Sequence, residues 1–445
     1  MVINWFAIFI LVSITVLVIT QKKIRYLDAF VFFIPFNATV VFFTPDKTAI
    51  NLPFILFFFA SISFFLRKGL YSKFSLPKKN KKIYTWLLVI AFVALLSQIM
   101  PFIINGKFNV LDRYNSEVFW AKEAPLYPNT QWFTQTLYLL IGLLVVFIVS
   151  STYKTLNDIK RVLKILLSGI IFMVIWGWVG DITFILGIPY PTFFNQIGMN
   201  EFGIHPFKGF PRMVSTTMEA SYFAQILIPI TPYFYWFYQQ DKPIVLSRNW
   251  NRNMYVLSLI TLPLAITTTG VFGFFLVIGF WLKNNLRFFS LRSKYFLMIT
   301  YIIVILISVF FAVNYLINIS GTYSGVERFK TVVLGVEYFL EYPILGIGFG
   351  VFPTYDLIIN MLVNLGLIGT IPVLILLYNV FIRLKNKIKD KKSEHYPLFI
   401  AALESFILIL IVSQLSGLIY HSQYFWLYIG LAVSIGGLSF KKNYN

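Results

Sequence analysis

The chain has 445 residues, 58% of them hydrophobic and only 12% charged, with a mean hydropathy of +0.77. That composition excludes a string of soluble domains and points to an integral membrane protein. A net charge of +20 would suit a nucleic-acid binder if the chain were soluble, so the placement of the basic residues decides the matter.

Apolar runs approaching the length of a bilayer-spanning helix recur at 3–20, 27–43, 52–66, 83–104, 132–151, 162–186, 219–238, 254–267, 271–282, 295–318, 354–382, 396–418 and 425–439. The first has the length of a signal-peptide core, but it lacks a basic stretch before it and a small-residue cleavage pattern after it, so it reads as a membrane helix. The pair flanking Thr267 to Gly270 is short, and reads either as two tilted helices or as one broken re-entrant element. The expected fold is all-α: a polytopic transmembrane helical bundle of about 12–13 spans, one integral membrane domain over 1–445, with long extracytoplasmic loops carrying short amphipathic helices.

Of the 37 Lys and Arg, 29 fall in the alternate connections 21–26, 67–82, 152–164, 239–253, 283–294, 383–395 and 440–445. Basic connections stay in the cytoplasm, so the charge is a topology signal, reinforced by anionic membrane lipid, and no nucleic-acid partner is needed to explain it. This parity puts the C-terminus inside and, with thirteen spans, the N-terminus outside. The inner connections are short and carry no glycine-rich or acidic pattern, whereas the outer segments 105–131, 187–218 and 319–353 are long, so chemistry is expected to face outward.

The chain lacks cysteine, and His205, His395 and His421 are too scattered for a ligand pair, so no metal site is expected. The segment 187–218 leads into a helix through Arg212 and Glu219. Thr216-Thr217-Met218-Glu219 matches a capping box, which gives Glu219 a structural reading beside a functional one. Arg212 has no such local explanation, and reads as an interfacial anchor or a phosphate ligand. In 319–353 a second capping box, Ser324 to Glu327, opens an amphipathic helix with Phe329, Val332, Val333, Val336, Phe339 and Leu340 on one side and Lys330, Glu337 and Glu341 on the other. Arg328 falls in its first turn, where free N–H groups already attract anions. The GIGFG string fails as a dinucleotide motif because Val351 occupies the third glycine position. Asp356 begins the next helix, and Glu404 lies inside a span, where a carboxylate is a functional candidate or a buried partner.

The string from Arg328 through EYFLEYPILGIGFGVF and YDLIINMLVNLGLIG resembles the signature of the O-antigen polymerase and O-antigen ligase superfamily (Wzy-type), and RMVSTTMEASYFA is similar to that family's upstream element. Two departures stand out: TTTG at Thr267 to Gly270 where many members carry a Ser-Arg pair, and Tyr355-Asp356 near the place of a ligase His-Asn pair. The second favours a polymerase over a ligase. The resemblance implies a membrane glycosyltransferase of the bacterial inner membrane, joining undecaprenyl-pyrophosphate-linked oligosaccharide repeat units into O-antigen, capsule or similar polysaccharide on the periplasmic or outer side. It implies Arg212 and Arg328 as pyrophosphate ligands, Glu219 or Asp356 as the base, no cofactor and no metal, and a chain-length regulator protein as a candidate partner. Outer-loop aromatics such as Tyr190, Phe193, Phe194, Phe202 and Tyr323 are candidates for stacking on sugars or for the interfacial belt. The rival readings are an O-antigen ligase and a lipid-linked oligosaccharide flippase; the latter would be expected to place charge in a midplane cavity and to show repeat symmetry.

Overall fold

A computed structural model describes residues 2–21, 24–43, 49–71, 80–107, 109–112, 122–128, 130–188, 193–194, 211–286, 290–293, 295, 298–299, 301–302, 323–415 and 422–438. The structure is mostly helical, with little sheet. Among the described residues, four apolar helical stretches, Lys81–Ile103, Trp132–Thr152, Leu156–Ile185 and Leu357–Lys387, are long enough to cross a membrane. At about 1.5 Å per residue even the shortest matches a hydrocarbon core of about 30 Å.

The helices, in chain order, are α1 (Trp5–Thr20), α2 (Tyr26–Phe33), α3 (Leu52–Tyr71), α4 (Lys81–Ser97), α5 (Met100–Ile103), α6 (Thr130–Thr152), α7 (Leu156–Ile185), α8 (Ala220–Tyr238), α9 (Arg248–Leu264), α10 (Thr268–Asn285), α11 (Tyr323–Glu341), α12 (Leu357–Lys387), α13 (Tyr396–Val412) and α14 (Gln423–Gly436). Large apolar side chains face outward at helical spacing. On α12 these are Leu367, Ile371, Leu374 and Tyr378; on α1 they are Trp5, Phe9, Val12 and Val16. In water such stripes would drive aggregation, whereas lipid solvates them.

Hydrogen bonds knit the basic connections into one end of the molecule. Asp28 accepts from the Tyr153 hydroxyl at 2.9 Å and pairs with Arg161, joining the start of α2 to the end of α6 and the start of α7. The Arg383 guanidinium on α12 donates to Asn80 before α4 at 2.7 Å. Asn285, at the end of α10, donates to the Tyr235 hydroxyl near the end of α8 at 2.7 Å. At the opposite end Phe349 N–H donates to Ser97 on α4 at 3.1 Å, and Ile358 N–H to Gln414 beyond α13 at 3.3 Å.

The apolar run 27–43, expected as one span, is instead the eight-residue α2 followed by a buried non-helical stretch and strand Val40–Phe43. That strand lies between Val2–Ile3 and Ala49–Asn51 in a small antiparallel sheet beside the start of α1. Pro35 explains the interruption, since a proline inside a helix removes a donor and clashes with the preceding turn. Helix α2 alone covers about 12 Å. The unwound stretch supplies the rest of the distance, so the chain still passes from the basic end to the other.

The pair flanking Thr267 to Gly270 resolves into two separate helices, α9 and α10. The Thr267 hydroxyl caps α10 by accepting from Gly270 N–H at 2.9 Å. In 105–131 the strands Asn109–Asp112 and Lys122–Pro125 pair as a hairpin. Much of 295–318 and of 187–210 lies outside the described residues.

Candidate functional site

The segment 211–219 is a strap laid across the end of the molecule away from the basic connections. Its backbone is satisfied by neighbours that sequence alone could not name. Met218 N–H donates to the Asn37 side chain at 2.9 Å, the Thr216 hydroxyl to the Pro35 carbonyl at 2.9 Å, and Ala38 N–H to the Thr216 carbonyl at 3.3 Å. The unwound stretch after α2 thus supplies partners to the strap. Ser215 sits at φ 58°, a left-handed conformation that costs a non-glycine residue on the order of 1–3 kcal/mol. Its hydroxyl donates to the Met173 carbonyl on α7, which helps to hold it there.

Thr216 therefore does not form the expected capping box. Its hydroxyl is committed to Pro35, and Glu219 occupies the N-cap of α8 rather than its third position, with no side-chain capping bond. The Glu219 carboxylate is exposed and accepts from the Ser221 hydroxyl at 2.9 Å. Nothing in the capping of α8 uses it up.

Arg212 begins the strap, half-buried. Met213 N–H reaches the Leu264 carbonyl at the end of α9 at 3.4 Å, and Met213 fills the space over Gly177 on α7, where an added Cβ would lie 2.9 Å from its Cγ. The Arg212 Nε is buried and has no hydrogen-bond partner among the described residues. A guanidinium N–H left in that state costs about 1–3 kcal/mol, more for a charged group, unless a ligand takes it.

Asp356 caps α12 by accepting from Ile359 N–H at 2.8 Å, as its position before the helix predicts. Tyr222, in the first turn of α8, lies within electrostatic range of both Glu219 and Tyr355, and its ring meets Tyr424 of α14 edge-on at 6.4 Å. The structure thus brings Glu219 and Tyr355 close to Tyr222, while the Asp356 carboxylate is turned to the start of α12. Arg328 lies a full turn inside α11 rather than in its first turn, because that helix already runs from Tyr323, ahead of the expected cap at Ser324. The Arg328 side chain falls outside the described residues, as do Tyr190 and Phe202 and the side chain of Tyr323. Phe194 packs among Phe6, Phe36, Phe172 and Trp176, with ring centroids 5.1–5.4 Å apart, so it is a structural aromatic; Phe193 is exposed beside them.

Helix α11 turns Thr331, Gly335 and Tyr338 inward and leaves Phe329, Val333, Val336 and Leu340 exposed, the arrangement of a helix whose apolar stripe meets lipid. The chain then plunges inward instead of forming a surface loop. Gly346, Gly348 and Gly350 all adopt positive φ, and residues 346–354 are buried. This alternate-glycine loop meets a break in α12 at Gly366, which has φ 61° and ψ −165°. Leu367 N–H donates to the Pro343 carbonyl at 2.8 Å, Ile347 N–H to the Val363 carbonyl at 2.8 Å, and the Asn364 side chain both donates to and accepts from the Phe352 backbone. The glycines recur because the backbones touch: a Cβ on Gly366 would overlap the Ile344 carbonyl, and one on Gly346 the Val363 carbonyl.

Two buried carboxylates complete the picture. Asp181 is 8% exposed on α7, one turn beyond Gly177, on the face that Met213 covers. Sequence reading passed over it inside a span, although a lone carboxylate in an apolar run was signal enough. Glu404 is 2% exposed and accepts from Trp236 Nε1 at 2.7 Å and Asn284 Nδ2 at 2.8 Å, tying α13 to α8 and α10 near the basic end. The adjoining cavity is about 10 Å³, room for one water at most. Glu404→Leu is expected to lower thermal stability by orphaning both donors, at about 1–3 kcal/mol for each, with activity per folded molecule unchanged; a loss of activity at unchanged melting temperature would show that the carboxylate acts directly in function.

Fold and composition together suit a helical membrane protein with several apolar helices that could cross a bilayer, and Glu219, Tyr222 and Tyr355 lie near one another at the end away from the basic connections. Compared with known proteins, the chain matches no family model, and no curated protein resembles it at a significant level.

Proposed function

We propose that the protein is a polytopic membrane glycosyltransferase of about 12–13 spans that polymerises lipid-pyrophosphate-linked oligosaccharide repeat units at the outer leaflet of the bacterial inner membrane. The observation that carries this reading is Arg212: a half-buried guanidinium with an unpartnered Nε, on a strap that ends in the exposed carboxylate of Glu219. Breaking a bond to a lipid pyrophosphate builds negative charge on the leaving group, and a fixed guanidinium stabilises that charge. Arg328 is the second basic ligand. The attacking sugar hydroxyl must lose a proton, and Glu219, free of capping duty, is better suited to accept it than Asp356, whose carboxylate is engaged by Ile359 N–H. Undecaprenyl pyrophosphate is the carrier implied by the family resemblance, and a chain-length regulator is a candidate partner.

The flippase reading draws support from the two interrupted crossings, at 34–39 and at Gly366, since transporters use broken helices to form midplane sites. The surroundings of Glu404 weigh against it, because a carboxylate sealed by two donors beside about 10 Å³ of space leaves no room for a sugar. Surface polysaccharide from cells lacking the gene, compared with complemented cells, separates the readings. A polymerase leaves single repeat units on the final acceptor, and a ligase leaves lipid-linked polymer. Lipid-linked single units trapped on the cytoplasmic side would replace this reading with a flippase.

A further inference from the structure

The proposed reaction leaves Tyr222 without a task. It lies three residues after Glu219, in the first turn of α8, and is half-buried. Its ring meets Tyr424 edge-on at 6.4 Å, and the Tyr424 hydroxyl is itself committed to the Gln225 side chain. The phenol ring is thus packed against the bundle, whereas its hydroxyl has no hydrogen-bond partner among the described residues. A partly buried tyrosine hydroxyl ordinarily finds one.

The surroundings say what kind of partner suits it. Among the described residues, the groups within electrostatic range of Tyr222 are the Glu219 carboxylate and the Tyr355 phenol, and no cation is among them. No side chain caps α8, so its first-turn N–H groups lie close by without a capping acceptor. A carboxylate that accepts, a phenol that donates and accepts, and N–H groups that donate together match a ligand rich in neutral hydroxyls. A phosphate would instead meet the repulsion of Glu219. Arg212, the anion ligand of the proposed reaction, is at the other end of the strap, next to Met213, which packs over Gly177 of α7 and bonds to Leu264 of α9.

We propose that Tyr222 binds a hydroxyl of the acceptor sugar, so that the start of α8 is the acceptor subsite and the Arg212 end of the strap receives the pyrophosphate of the donor. The phenol holds the acceptor with its nucleophilic oxygen against Glu219. In the transfer that oxygen bonds to the anomeric carbon of the donor as the bond to pyrophosphate breaks. The proton passes to Glu219, the electron pair leaves with the pyrophosphate, and Tyr222 keeps its own proton. This inference rests on the glycosyltransferase reading.

The test uses the full chain in a neutral detergent. Lipid-linked repeat units extracted from cells lacking the gene serve as donor, and the same oligosaccharide freed from its lipid serves as acceptor. Tyr222→Phe is expected to raise KM for the free oligosaccharide about 3- to 10-fold, the loss of one hydrogen bond, while KM for the donor and the melting temperature stay as in the intact chain. Tyr222→Trp, which keeps an aromatic ring against Tyr424, should show the same loss and decides the matter if the first variant does not fold. An unchanged acceptor KM in a folded variant, or an equal rise in both KM values, overturns the subsite and leaves the glycosyltransferase standing. No transfer by the intact, folded chain overturns both.

Discussion

Cells carrying Arg212→Ala are expected to make no long-chain surface polymer while the protein accumulates normally. Loss of one fixed donor to a developing anion typically reduces turnover by roughly 10²–10³-fold, enough to remove the ladder of long chains from a gel. The structural cost should be small, because the strap is anchored by Ser215, Thr216 and Met218 rather than by the arginine. Removing a buried N–H that has no partner also relieves a penalty of about 1–3 kcal/mol, so the variant should melt no lower than the parent. A structural arginine would show the reverse pattern. Unchanged chain length in a normally abundant variant would remove Arg212 from the reaction. Arg212→Lys is expected to recover little, since an ammonium cannot reproduce the planar fork of donors.

The largest effect on stability is expected at the crossing of the alternate-glycine loop with α12. Gly366→Ala and Gly346→Ala each place a methyl group into a carbonyl oxygen of the opposing backbone, at residues whose φ of 61° and 67° already disfavours a side chain. Neither backbone can retreat, because Pro343, Ile347, Val363 and Leu367 are hydrogen-bonded across the same contact. Each substitution should cost more than about 3 kcal/mol and leave little protein in the membrane fraction. Gly187→Ala is the control: φ is 66° there but the space around it is open, so only the conformational cost of about 1–2 kcal/mol applies. Equal abundance of all three variants would mean that the close approach of the two backbones is not needed.

The helices were legible where the sequence is long and uniformly apolar, as in α6 and α7, because hydropathy needs no knowledge of neighbours. The stretch after α2 was not: Pro35 interrupts the helix, but the unwound chain is held by a strap 180 residues later, whose Thr216 hydroxyl donates to the Pro35 carbonyl, whose Thr216 carbonyl accepts from Ala38 N–H and whose Met218 N–H donates to the Asn37 side chain. The glycines at 346, 348 and 350 fail as a nucleotide motif and belong to the string that carries the family resemblance, but neither reading gives their structural use, the close packing of Gly346 against the backbone at 363–366. The capping reading of Glu219, held beside a functional one, rests on Thr216 standing three residues before it, yet Thr216 is drawn off to Pro35 and the helix starts three residues later than that pattern requires. The place of Asp356 at a helix start, where its capping partner is local, was legible. Local chemistry could be read from local sequence, and the candidate site depends mostly on contacts that are not local.

The alternate-glycine loop also constrains how the protein is made. Phe349 receives and gives its backbone hydrogen bonds through Ser97 and Gln98, residues synthesised some 250 positions earlier. Until those partners are in place, the Phe349 backbone N–H and carbonyl lack the hydrogen bonds that they make in the folded protein. The alternate-glycine loop therefore cannot reach its final form before α4 is in place, and a chain in which Ser97 and Gln98 are both replaced by alanine is expected to complete folding more slowly and to accumulate less.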